Sequence, residues 1–121
     1  MKTILIVDDS GFMRNLIKKC ISELDISVVG EAENGKVALE KYIELSPDIV
    51  TLDLAMADHD GTGALKAIIQ HDPNAKVVVV SSTADSAIVI NETLSLGAHT
   101  VLNKPIDKSK LTEIIAGLIN E

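Results

Sequence analysis

Five times in succession, a short run of β-branched and aliphatic residues gives way to a longer stretch whose apolar residues recur at helical spacing. Strict alternation of strand and helix means a parallel sheet with helices on both faces. Five such units are too few to close an eight-stranded barrel, so the sheet is open. Residues 2–8 read as the first strand, and Leu16, Ile17, Cys20, Ile21 and Leu24 share one face of the helix that follows. Residues 26–31 form the second strand, bounded by Gly30 and the Asn34-Gly35 turn. Val37, Ala38, Leu39, Tyr42 and Ile43 mark the next helix, which Ser46-Pro47 stops. The third strand is 49–53, and Leu65, Ile68 and Ile69 outline the third helix, closed before Asp72-Pro73-Asn74. Residues 76–82 contain four consecutive valines, the mark of a central strand covered on both faces. Ala87, Ile90, Leu94 and the terminating Gly97 define the fourth helix, and 99–103 the fifth strand. The last helix begins near Asp107, a good N-cap, and carries Leu111, Ile114, Ile115, Leu118 and Ile119.

Length, at 121 residues, suits one domain spanning 1–121. Aromatic content is only 2%, Phe12 and Tyr42, so the core must be aliphatic. A formal charge of −7 repels phosphate backbones and argues against nucleic-acid binding. The single cysteine, Cys20, excludes an internal disulfide and fits a reducing compartment. No apolar stretch approaches the ~20 residues of a membrane span. A soluble, cytoplasmic, monomeric protein is the expectation.

Three of the apolar runs stop on chemistry: the first in Asp8-Asp9, the third in Asp53, the fifth in Lys104-Pro105. Parallel strands would deliver all four groups to one edge of the sheet, where open α/β folds bind ligands. Two carboxylates ~5 Å apart repel by roughly 3 kcal/mol at an effective dielectric of ~20. Asp8-Asp9 alone fits solvated strand-end acids. A retained cluster of Asp8, Asp9 and Asp53 instead calls for a cation, and all-oxygen ligation suits Mg²⁺. Lys104 can meet a phosphoryl oxygen as a compact point charge, and Ser81 and Ser82 add hydroxyls on the same rim. Together they describe a metal and phosphoryl site.

Ile6-Val7-Asp8-Asp9-Ser10, Leu52-Asp53-Leu54 followed by Met56 and Asp60-Gly61, Ser81, and Asn103-Lys104-Pro105 resemble the receiver domains of bacterial two-component response regulators. With no output domain in these residues, the chain is most similar to stand-alone chemotaxis regulators of the CheY type. The resemblance implies a flavodoxin-like doubly wound sheet of order 2-1-3-4-5. It implies that Asp53 takes a phosphoryl group from a histidine kinase. Asp9, Asp53 and the Ala55 carbonyl would then ligate Mg²⁺ directly, with Asp8 acting mainly through water. Ser81 would hydrogen-bond the phosphoryl group and Lys104 would pair with it. The implied role is signalling, not turnover of a substrate, with a flagellar motor switch component or a phosphatase as protein partner. A phosphorelay intermediate or phosphate sink is the alternative within the family. A Mg²⁺-dependent phosphatase is the alternative outside it, although such enzymes usually carry Asp-x-Asp and a cap domain. A flavodoxin-like electron carrier lacks its phosphate loop and aromatics here.

Several positions depart from the family pattern. Ala57 replaces the usual proline, and Val101 stands where a swinging aromatic is common. Ala55 and Thr83 offer no acid or amide to orient attacking water, and Val101 is expected to be a passive core residue. Switching is expected to rely on the loop from Ser81 to Asp85. The Lys104–Pro105 bond is expected to be cis, which aims Lys104 at Asp53. His59, His71 and His99 lack metal-ligand spacing and read as surface residues. Cys20 reads as inert core. Arg14, Lys18 and Lys19 read as a solvated basic face that could meet a kinase domain.

Overall fold

Strands and helices alternate as the hydrophobic rhythm requires: β1 (Lys2–Val7), α1 (Gly11–Cys20), β2 (Ile26–Ala32), α2 (Gly35–Leu45), β3 (Ile49–Leu52), α3 (Gly61–His71), β4 (Lys76–Ser81), α4 (Ala87–Ser95), β5 (Thr100–Asn103) and α5 (Lys108–Ile119). The structure, a computed structural model, describes residues 1–56, 61–82 and 86–121. Its strands pair in parallel in the order β2-β1-β3-β4-β5, the expected doubly wound arrangement. Among the described residues, no helix is long and apolar enough to cross a membrane.

The period-2 geometry of the strands splits the core in two. Leu5, Val7, Val50, Leu52, Val77 and Val79 point to one face, against Ala38, Tyr42, Ala64, Leu65 and Ile68. Ile4, Ile6, Ile49, Val78 and Val80 point to the other, against Ile17, Ile21, Leu111 and Ile115. The four valines thus alternate between two apolar layers, as a central strand should.

Helix starts follow from side-chain caps that satisfy otherwise orphaned N–H groups. Ser10 Oγ accepts from Met13 N–H at 3.2 Å, Asn34 Oδ1 from Val37 N–H at 2.9 Å, and Asp107 Oδ1 from Lys110 N–H at 3.2 Å. Gly97, at φ 112°, closes α4 in the conformation that glycine adopts without strain, with Ile69 packed against it.

Strand ends shift by one residue from those read in the sequence: β1 stops at Val7, β2 at Ala32 and β3 at Leu52. The first helix ends at Cys20, which leaves Leu24 in the turn to β2; β4 stops at Ser81 and β5 starts at Thr100. Ile43 and Leu94, counted on apolar helix faces, are exposed. In α2 the buried positions are Gly35, Ala38 and Tyr42, so Ile43 is rotated by about 100° from the inward face. In α4 Thr93 faces inward instead, its hydroxyl donating to the Val89 carbonyl at 2.7 Å. Cys20 is buried and His71 and His99 are exposed, as read; His59 lies outside the described residues.

Two buried polar groups give testable consequences. Thr51 Oγ1, fully buried in β3, has no hydrogen-bond partner among the described residues. An unsatisfied buried hydroxyl costs about 1–3 kcal/mol, so Thr51→Val should raise stability by about 1 kcal/mol in chemical denaturation.

Tyr42 OH donates to Asp72 Oδ2 at 2.8 Å. Burial first, then this bond and the Asp72 and Asp48 charges, push the phenol well above its ordinary value of 10.0. A raised acid is stabilising while protonated: its contribution is fully present below the unfolded pKa and is lost as pH rises above about 10. Urea melts from pH 8 to 11 should show a steeper alkaline loss in the unaltered chain than in Tyr42→Phe. The variant should be about 1 kcal/mol weaker at pH 8 through the lost hydrogen bond.

Candidate functional site

Register delivers the acids to one edge. Val7 pairs with Leu52 across β1 and β3, and Asp53 N–H donates to the Val7 carbonyl at 3.1 Å. The next residues out, Asp8 and Asp53, therefore stand side by side. Carboxylate oxygens of Asp8, Asp9 and Asp53 all lie within 4.8 Å of one another. Asp8 and Asp53 are only 1% and 4% exposed, whereas Asp9 is open to solvent.

Lys104 comes from the far side of the sheet. Ser81 pairs with Asn103, Lys104 N–H donates to the Ser81 carbonyl at 3.2 Å, and the Lys104–Pro105 bond is cis. The ammonium then bridges both buried acids, Nζ donating to Asp8 Oδ2 at 3.0 Å and Asp53 Oδ2 at 3.2 Å. The remaining oxygens are held by backbone: Ser10 N–H donates to Asp8 Oδ1 at 2.9 Å, and Ala55 N–H to Asp53 Oδ1 at 3.0 Å. Ser81, the last residue of β4, is fully buried at the same edge.

Charge balance explains the protonation tendencies. Burial raises the Asp8 pKa above its ordinary value, assisted by the Asp53 charge and opposed by Ser10 N–H and Lys104. Burial works against the Lys104 ammonium too, but the bonds and charges of Asp8 and Asp53 together outweigh it and raise its pKa. Three carboxylates and one ammonium leave two negative charges, which one divalent cation cancels. The donor set is all oxygen, and Asp9 is solvent-accessible with Asp8 and Asp53 beside it. It suits a hard cation that keeps positions open to other oxygen ligands.

The start of α3 meets the end of β3 without room to spare. A Cβ at Gly61 would overlap the backbone of Asp53 and Leu54, so only glycine lets α3 start against the end of β3. Ala57 and Thr83, and most of the loop from Ser81 to Asp85, lie outside the described residues.

The basic face of α1 differs from its reading in the sequence. Arg14 and Lys18 are not a free basic face: Arg14 Nε and Lys18 Nζ close on the two Glu31 carboxylate oxygens at 3.0 and 2.9 Å. Only Lys19 of the three reads as exposed. Val101 packs half-buried against the core layer that holds Leu52 and Val79, and with Val80, Ile90, Leu102 and Pro105 it lines a recess of about 400 Å³. The contact between Arg14 and the Asp8 carbonyl was not foreseen; the position of Glu31 at the end of the strand next to β1 was its one signal.

Comparison with known proteins is consistent along the chain. The response regulator receiver domain model matches residues 4–116. The chemotaxis protein CheY of Thermotoga maritima is 45% identical over 114 residues, 94% of each chain. CheY of Bacillus subtilis is 42% identical over 117 residues, 97% of each chain. Among solved structures, the CheX–CheY–BeF3–Mg complex from Borrelia burgdorferi superposes with a TM-score of 0.91 at 30% identity, covering 98% of this chain and 89% of that one.

Removing the ammonium should expose the repulsion it screens. Lys104→Met leaves two buried carboxylates without their cation, a change that costs about 3–5 kcal/mol in buried pairs. Thermal melts in EDTA should show that loss. Adding millimolar MgCl₂ should stabilise the unaltered chain and stabilise the variant more, because the divalent ion then supplies the missing charge. Equal midpoints with and without Mg²⁺ in both proteins would show that the acids hold no cation.

Proposed function

The chain belongs to the response regulator receiver domain family, and on that premise we propose that it is a phosphorylatable receiver of a chemotaxis-type two-component system, acting in the cytoplasm as one domain. Asp53 is the acceptor. A histidine kinase is the donor, and the output is altered binding of a protein partner such as a flagellar motor switch component or a phosphatase. The observation that carries this reading is the Lys104 ammonium held 3.0 and 3.2 Å from Asp8 and Asp53, beside the three clustered carboxylates.

A carboxylate oxygen of Asp53 attacks the phosphorus of a phosphohistidine. The new O–P bond forms as the P–N bond breaks, and the imidazole leaves with the bonding electron pair. Little covalent work falls to the protein, so positioning and neutralisation of charge supply the catalysis. Ala55 N–H fixes the rotation of the Asp53 carboxylate through Oδ1. Lys104, already on Oδ2, is placed to follow the arriving charge by pairing with a phosphoryl oxygen. Ser81 supplies a hydroxyl at the same edge. Asp9, Asp53 and the Ala55 carbonyl would hold Mg²⁺, with Asp8 acting mainly through water, and the ion would supply further neutralisation of the phosphoryl oxygens.

Because the chain's own groups do this chemistry, a small phosphodonor should suffice without a kinase. Acetyl phosphate with Mg²⁺ should add one phosphoryl group, seen by intact mass spectrometry, and Asp53→Asn should abolish it. An adduct that persists in Asp53→Asn would move the nucleophile elsewhere.

A further inference from the structure

The Asp8–Asp9 peptide is held from outside the acid cluster. Asp8 N–H donates to the Ala32 carbonyl at 3.0 Å. On the other side of the residue, Arg14 Nη1 donates to the Asp8 carbonyl at 2.6 Å. That carbonyl belongs to the same rigid peptide unit as Asp9 N–H. Its direction therefore sets where Asp9 begins, and Asp9 is the one exposed member of the cluster.

Arg14 is itself clamped. Nε donates to Glu31 Oε1 at 3.0 Å, Lys18 holds Glu31 Oε2 at 2.9 Å, and Lys41 Nζ donates to the Glu31 main-chain carbonyl at 2.5 Å. Three cations from α1 and α2 thus converge on one residue at the end of β2, and only Arg14 reaches past it to the site. A planar guanidinium can make both bonds at once in fixed geometry, which an ammonium cannot.

We infer that Arg14 is a positioning residue: clamped by Glu31, it fixes the Asp8–Asp9 peptide and so holds Asp9 in place to ligate a divalent cation. This rests on the metal and phosphoryl reading of the site. Partners that orient metal ligands typically change metal affinity by about 10–100-fold when removed.

Charge alone predicts the opposite sign, which makes the inference testable. Deleting a positive charge near an acidic cluster should tighten binding of a cation. Calorimetric titration of the metal-free chain with MgCl₂ should instead show Arg14→Met weaker by about tenfold, with Arg14→Lys also weakened despite its retained charge. Lys18→Met removes the same charge from the same Glu31 without touching the Asp8 carbonyl, and should bind Mg²⁺ as tightly as the unaltered chain or more so. A readout without metal is the amide NMR signal of Asp9, which should shift in Arg14→Met and stay in Lys18→Met. Should Arg14→Met not fold, Glu31→Gln, which loosens the clamp but keeps its shape, must still move the Asp9 signal without metal, a readout that its lost negative charge does not decide as it does Mg²⁺ affinity. Mg²⁺ affinity unchanged or tighter in the folded Arg14 variants, or an unmoved Asp9 signal in Glu31→Gln, overturns the positioning role alone. Failure of the unaltered chain to bind Mg²⁺ overturns the proposed function along with it.

Discussion

One ammonium between two buried carboxylates is the contact on which the chemical edge depends. Acid oxygens within 4.8 Å of one another repel by about 3 kcal/mol per pair at an effective dielectric of ~20. That is a large share of the ~5–15 kcal/mol that holds a domain together. Lys104 relieves part of it, and it can do so only because β5 ends where β4 ends, across the sheet from Asp8. The backbone arrangement follows from the same demand. Strand register places Asp53 beside Asp8, Gly61 lets α3 start hard against Asp53 and Leu54, and Ser10 both caps α1 through its hydroxyl and fixes Asp8 through its N–H. The residual double negative charge is what a divalent cation would cancel.

Much of this was legible from spacing alone. Runs that end in Asp8-Asp9, Asp53 and Lys104 announce their location, because a parallel sheet sends every strand's C-terminal end to one edge. The valines of β4 announced a strand with two covered faces for an equally local reason. What spacing could not show is where long side chains travel. Arg14 and Lys18 sit one helical turn apart and look like a solvated pair; Glu31 captures both only because β2 lies next to β1, a fact about strand order. Ile43 and Leu94 were misplaced for a related reason. Helical periodicity locates an apolar stripe to within about one residue, and whether its margin is covered depends on neighbours distant in sequence. Thr51 carries no signal at all: a threonine in a strand is ordinary, and its missing partner is a property of the packed layer.

The separation of the apolar residues into two layers has a consequence for how the molecule responds to change. Side chains from successive positions of β4 enter different layers, one bounded by α2 and α3, the other by α1 and α5, and share only the backbone between them. Effects of substitutions about 7–10 Å or more apart that share no partners generally add, so changes deep in opposite layers combine nearly additively. A change at the Ile115 side of one layer and a change at the Ile68 side of the other share no core cluster. Drift in sequence can therefore remodel one helical flank while the other keeps its shape, and the edge bearing the acids, anchored to both, is the place where the two histories must agree.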